Sequence, residues 1–333
     1  KQEMFPHLFN SLSVVIPVLS STFASVGRFL KHAGNMSLGM LIIDESGQAV
    51  PQSALGAIYR TRRAVVVGDP LQVEPVVTIP KVLIDILADS TCVANAYKVI
   101  ENSVQTFSDN INEFNGMIGE RQVGCPLVVH RRCIEPMFSI SNLISYDNRM
   151  FNKTNKKEEY LKPENLFLIK KSGWINVEGE ENGGKDHFVK NQAERVCQLM
   201  EDAVHIYSDL FETDDKIFII TPFRTVAESM RKFIISYFSV KGYDKQILSK
   251  WTKNCVGTVH TFQGKDANEV LLVLGCSNKS AGAMNWVVKK ANILNVACTR
   301  AKYRIAFIGN INDWKNRRYF REFIPSFIDI INV

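Results

Sequence analysis

Apolar residues in this chain fall into short runs, many of them β-branched, and each run closes on a polar residue or a glycine. The runs occupy residues 14–16, 40–43, 64–67, 217–220, 256–259, 270–274 and 305–308. Near-continuous apolar runs of this length predict parallel strands buried on both faces rather than half-exposed antiparallel ones. Between them the spacing shifts to the helical period, as in QAERVCQLMEDAVHIY (192–207) and VAESMRKFIISYF (226–238). Strands alternating with helices predict an α/β architecture with mainly parallel sheets and right-handed crossovers. In such sheets ligands bind beyond the carboxyl ends of the strands. The residues there are Asp44 and Glu45 after one run, Gly68 and Asp69 after another, Thr221 and Pro222 after a third and His260 after a fourth.

Two polar stretches interrupt the pattern. Residues 148–171 are rich in Lys, Glu and Asn, and residues 179–186 are acidic and glycine-bearing; both read as surface excursions. A domain boundary is expected between residues 120 and 135, where GERQVGCP breaks the alternation. Three hundred and thirty-three residues suffice for two domains with separate cores. No apolar run approaches the ~20 residues that span a bilayer, and KQEMFPHLFN lacks the features of a signal peptide. No membrane partner is therefore expected, and the location is expected to be cytoplasmic. The seven cysteines include no CxxC pair and no His cluster completes a zinc spacing, which predicts buried reduced thiols and no structural metal. The net charge of +6 is compatible with phosphate backbones without showing that they are bound.

Chemistry enters with two loops. A carboxylate at a strand end, Asp44, can hold Mg²⁺ through water, and Glu45 beside it can activate a water for attack on a phosphate. In GDPLQ (68–72), glycine and proline force a tight turn that aims Asp69 and Gln72 at the same sheet edge. Gln72 is a neutral group able to sense a γ-phosphate by hydrogen bonding.

With those residues in place, the chain resembles the superfamily one helicases, in the branch of the nonsense-mediated-decay RNA helicase and of many bacterial DNA helicases. DESGQA (44–49) resembles the second motif, with Ser46 where Ala is usual, and GDPLQVEP (68–75) the third, with Val73 for the commoner Leu. HRRC (130–133) is similar to the segment in which an aromatic residue precedes a phosphate-contacting arginine; Arg131 takes the aromatic slot and Arg132 the arginine. TVHTFQGKD (258–266) resembles the fifth motif, with Asp266 where Glu is commoner, and NVACTRAK (295–302) the sixth. SSTFASVG (20–27) is similar to a segment that touches the nucleic-acid backbone.

The resemblance implies two RecA-like domains, residues 1–128 and 129–333, the first truncated at its N-terminus. It implies ATP and Mg²⁺ as cofactors: Asp44 binds the metal, Glu45 is the general base, Gln72 senses the γ-phosphate, and Arg132 and Arg300 are arginine fingers. Asp69, Gly264 and Lys265 join the nucleotide site. Ser20, Ser21, Thr22, Thr221, Pro222, Phe223, His260, Thr261 and Gln263 are the nucleic-acid candidates. Hydroxyls, backbone N–H groups and an occasional stacked ring suit such a grip. Phe23 and Phe223 are more often core than base-stacking, Trp174 and Trp286 read as packing residues, and Lys289 and Lys290 as exposed lysines.

No segment supplies a phosphate-binding loop. GEENGGKD (179–186) nearly matches, but Asp186 has no hydroxyl for Mg²⁺ and two glutamates would repel a triphosphate. The expectation is therefore a fragment of a longer motor, monomeric, with little ATP hydrolysis of its own. The partner expected is single-stranded nucleic acid, DNA favoured over RNA, with movement 5′ to 3′. The competing reading is a catalytically inactive nucleic-acid-binding scaffold; a nuclease-linked helicase is a third, which nothing in the chain decides.

Overall fold

A computed structural model describes residues 4–331 apart from 95–96, 101, 119–120, 155–166, 184–185 and 263. The chain divides into two units, Lys1–Pro126 and Leu127–Val333.

In the first unit the run at 14–16 is not a strand. It ends and follows the helix α1 (Phe5–Val15), which starts with a proline in its first turn and buries no residue. Three β-branched residues are too short a run to find a strand partner, and Ile16 N–H closes back onto the Leu12 carbonyl at 2.8 Å instead. After α2 (Phe23–Phe29), β1 (Leu38–Ile43) pairs in parallel with β2 (Thr61–Val66), and α3 (Pro51–Tyr59) connects them. Pro51 suits the first helical turn, where its missing N–H has no partner to lose. α4 (Lys81–Ser90), α5 (Val104–Ile111) and the short antiparallel pair β3 (Gly116–Ile118) and β4 (Arg121–Val123) complete the unit. One face of the β1–β2 pair packs on a small core of Ile43, Ala54 and Val104, joined by Phe23, Leu41 and Val66. The other face carries Met40, Ile42, Val65 and Val67, all exposed, Ile42 at 66%. Burial on both faces, expected for these two runs, does not hold here.

The second unit holds that expectation. Its elements are β5 (Val129–His130), α6 (Met137–Ser145), β6 (Phe151–Asn152), β7 (Gly173–Asn176), α7 (Lys190–Ile206), β8 (Ile217–Ile220), α8 (Arg224–Val240), α9 (Lys245–Cys255), β9 (Val256–Gly257), β10 (Ala267–Val273), α10 (Ala281–Val287), α11 (Asn292–Arg300), β11 (Ala301–Gly309), α12 (Ile311–Trp314), α13 (Phe320–Phe327) and β12 (Asp329–Ile330). Among the described residues the main sheet runs β12-β7-β11-β10-β8-β9, and every pairing is parallel. Trp174 of β7 stacks on Phe307 of β11 at 5.7 Å and donates its ring N–H to the Gly309 carbonyl at 2.8 Å, so it is a packing residue. Residues 167–169 are no surface excursion: Phe167 and Ile169 are buried. They are tied down by Glu269, a fully buried carboxylate accepting Leu168 N–H at 2.8 Å, Ile169 N–H at 2.6 Å and the Tyr207 hydroxyl at 2.7 Å. Burial pushes the Glu269 carboxyl up to about 7 against the pull of those donors and of Arg304.

Five of the seven cysteines are buried, and Cys92 and Cys125 are exposed, so the all-buried expectation fails at two positions. Among the described residues no helix is long and apolar enough to cross a membrane.

Candidate functional site

In the first unit the two catalytic-looking loops leave neighbouring parallel strands at the same edge. The register pairs Ile43 with Val66 and is prolonged by Val67 N–H to Ile43 O at 2.8 Å and Ser46 N–H to Val67 O at 3.0 Å. Glycine is required on both loops by close approach. A Cβ on Gly68 would lie 2.8 Å from the Gly47 nitrogen, and one on Gly47 would lie 2.8 Å from the Asp69 carbonyl oxygen. Asp44 and Glu45 are exposed. Glu45 is left-handed at φ 52, a conformation unusual for a residue with a side chain; its N–H reaches Asp44 Oδ1 at 2.9 Å and its Oε2 accepts Gln48 Nε2 at 2.8 Å. Asp69 orders its own loop, accepting Leu71 N–H at 2.9 Å and Gln72 Nε2 at 2.8 Å. Arg121 closes the loop from outside through the Pro70 carbonyl at 2.6 Å.

Ser46, the departure from the helicase pattern, has a structural role that the sequence did not reveal. Its buried hydroxyl lies 2.9 Å from the Val67 carbonyl and 2.6 Å from Gln105 Oε1. Gln105 Nε2 donates in turn to Asp109, whose same oxygen accepts Gly124 N–H at 3.1 Å. The two loops are thus tied to α5 by buried polar groups. Exposed adjacent carboxylates suit Mg²⁺, which keeps much of its water. Ser20, Ser21 and Thr22 are exposed ahead of α2, with Thr22 Oγ1 donating to Ser25 Oγ at 3.3 Å.

In the second unit Arg131 is exposed and Arg132 half-buried. His130 beneath them accepts Cys133 N–H at its Nε2 at 2.9 Å, which leaves the proton of the neutral ring on Nδ1. Burial and then the Arg132 charge lower its pKa, keeping it neutral. Arg300 ends α11, is 3% exposed and donates Nη1–H to the Lys265 carbonyl at 3.0 Å. A Lys302–Asp266 ion pair at 2.7 Å joins the same two segments, so the fifth and sixth motifs form one body. Asn295 anchors that body, bonding the Ser141 hydroxyl and the Tyr146 hydroxyl on and after α6. Gly264 has φ +70, which favours glycine, and Lys265 is exposed. Gln263 lies outside the described residues.

Thr221, Pro222 and Phe223 are buried at the end of β8. Thr261 is half-buried over Gly257, where an added Cβ would meet the threonine Cβ at 2.6 Å, and His260 is exposed. Phe223 packs between His187 at 4.8 Å and Trp286 at 5.9 Å. Trp286, read from sequence as a packing residue, is 54% exposed; α10 turns Met284 and Val287 inward, which leaves position 286 on its outer face. The acidic turn also differs from expectation. Glu180 is exposed, whereas Glu181 folds inward and accepts Ser277 N–H at 2.7 Å, Ser280 Oγ–H at 2.9 Å and the His187 ring at 3.1 Å. Burial alone would raise its pKa, but these bonds together hold it low. Glu181, His187 and Cys276 offer ligand atoms within 4.8 Å of one another.

Two models described as AAA domain match the chain, over residues 113–312 and residues 2–79. The chain belongs to the AAA-domain family, in the Upf1-like branch of the superfamily one helicases. Probable helicase senataxin of Mus musculus is similar at 22% identity, across 95% of this chain and 11% of senataxin. ATP-dependent helicase upf1 of Schizosaccharomyces pombe is similar at 23% identity, across 86% of this chain and 28% of that helicase. The chain therefore spans a minor part of these helicases. An arterivirus nonstructural protein 10 helicase solved with DNA is similar across 86% of this chain and 42% of its own, at 12% identity and a TM-score of 0.39.

Proposed function

We propose that this helicase-family chain carries part of an ATP-dependent motor that moves along single-stranded nucleic acid, DNA favoured over RNA, in the 5′ to 3′ direction. The observation that carries the reading is the meeting of the Asp44–Glu45 and Gly68–Gln72 loops at one strand edge, with backbone contacts too close for any side chain at positions 47 and 68. Asp44 would hold Mg²⁺, which would supply charge neutralisation on the phosphates. Glu45, exposed and presented by a left-handed backbone, takes the proton of the attacking water. Gln72, held by Asp69, exchanges that bond for one to the γ-phosphate and so couples hydrolysis to movement of its loop. Arg132 and Arg300 stabilise the charge of a loose phosphoryl transition state, a role worth about 10³–10⁵ in rate.

Names of the relatives support ATP dependence, and the DNA preference rests on the GDPLQVEPVV segment. Because no segment offers a phosphate-binding loop, the chain by itself hydrolyses ATP poorly. The test is ATP hydrolysis by the full-length protein with and without oligothymidylate or oligouridylate, beside Glu45→Gln. Strand-stimulated hydrolysis abolished by the substitution is expected. Equal hydrolysis in both proteins would refute the assignment of Glu45, and none under any condition would favour an inactive nucleic-acid-binding scaffold.

A further inference from the structure

The four tryptophans divide sharply. Trp174, Trp251 and Trp314 are at most 2% exposed, while Trp286 is 54% exposed. A large ring left in water forgoes burial that would stabilise the fold. β8 and β10 are parallel neighbours, so Phe223 after one and α10 after the other emerge at the same sheet edge. There the Trp286 ring meets the buried Phe223 ring at 5.9 Å, tilted by 33°, and Phe223 in turn contacts His187 at 4.8 Å. This aromatic cluster is braced by Glu181, which bonds His187 as well as Ser277 and Ser280 ahead of α10.

Basic and amide residues adjoin Trp286 along the chain. Lys289 and Lys290 are exposed a few residues on, and Arg317 donates to the side chain of Asn285, the neighbour of Trp286. A single flat ring among polar and basic groups makes a poor apolar patch for a protein partner, which needs contiguous area. It suits a nucleobase, whose face stacks on an aromatic ring while its phosphates meet cations.

We propose that Trp286 is a stacking platform for one base of the bound single strand, an inference that rests on the nucleic-acid reading above. The buried Phe223 serves as its floor rather than as the base contact itself.

The chain reports on this directly, since binding that covers Trp286 changes the emission of its exposed tryptophan. Fluorescently labelled oligothymidylate and oligouridylate, and an abasic strand of equal length and charge, are titrated by anisotropy while tryptophan emission is followed. Both base-bearing strands should quench emission. Trp286→Ala should weaken their binding by about fivefold or more, and Trp286→Phe should recover most of the loss. The abasic strand should bind wild type and Trp286→Ala alike with emission unchanged. An unchanged melting temperature in Trp286→Ala establishes that the loss is local. Base-bearing strands that bind without quenching, or that bind wild type and Trp286→Ala equally, overturn the proposal, as does equal weakening for the abasic strand. Self-association broken by Trp286→Ala would assign the ring to a protein interface instead. If wild type binds no strand, the nucleic-acid reading for this chain fails and the platform fails with it.

Discussion

The same device, a functional loop thrown off the carboxyl end of a parallel strand, appears in two settings in this chain. In the second unit the strands beneath the loops are buried on both faces, and aromatic packing such as Trp174 on Phe307 fixes the edge. In the first unit the loops stand on two strands with one open face. Positioning there falls to local staples: the Gly47–Gly68 close approach, the Ser46 hydroxyl and the Asp69 turn. Bulk burial sums many individually small contacts, whereas a staple rests on a few groups whose placement sets the loop.

The largest expected effect lies in the packed unit. Trp174→Ala should destabilise it by about 3–5 kcal/mol, read as a shift in the urea midpoint; a shift under about 1 kcal/mol would show that the sheet edge is not held by that packing. Next comes Glu269. Its folded pKa, about 7, lies above the ordinary 4.5, so the stability it confers is whole below 4.5 and fades as pH rises through about 7. Raising the pH from 5 to 8 should cost up to about 3 kcal/mol, and Glu269→Gln should flatten that slope. A slope that survives in the variant would place its origin elsewhere.

The staples of the first unit come after. Gly68→Ala puts a methyl against the Ser46 and Gly47 backbone and should cost about 1–3 kcal/mol. In the full-length protein it should also depress ATP hydrolysis far more than Trp174→Ala does. Smallest is Ser46→Ala, which removes the donor facing buried Gln105 Oε1 and should cost about 1 kcal/mol. If Gly68→Ala leaves hydrolysis intact, the contrast between staple and bulk positioning collapses.

Much of this was legible from residue order. The strands at 40–43, 217–220, 270–274 and 305–308 and the helices at 192–207 and 226–238 follow from local periodicity, which is written in neighbouring side chains. Asp44, Glu45, Asp69 and Gln72 were visible because turn chemistry forces them to strand ends. The run at 14–16 misled because three β-branched residues specify a strand only when a partner strand exists.

What the sequence alone determined, then, is the α/β class, the helicase motifs and the side of each sheet on which they fall, because all three rest on short-range pattern. The tertiary structure decided which polar side chains turn inward. Ser46 bonds Gln105 across 59 positions and Glu269 bonds Ile169 across 100. It also set Trp286 outside and Phe223 beneath it, although both are large aromatics of similar prior burial. Such outcomes depend on what lies opposite each residue in space, and chain order does not encode that distance.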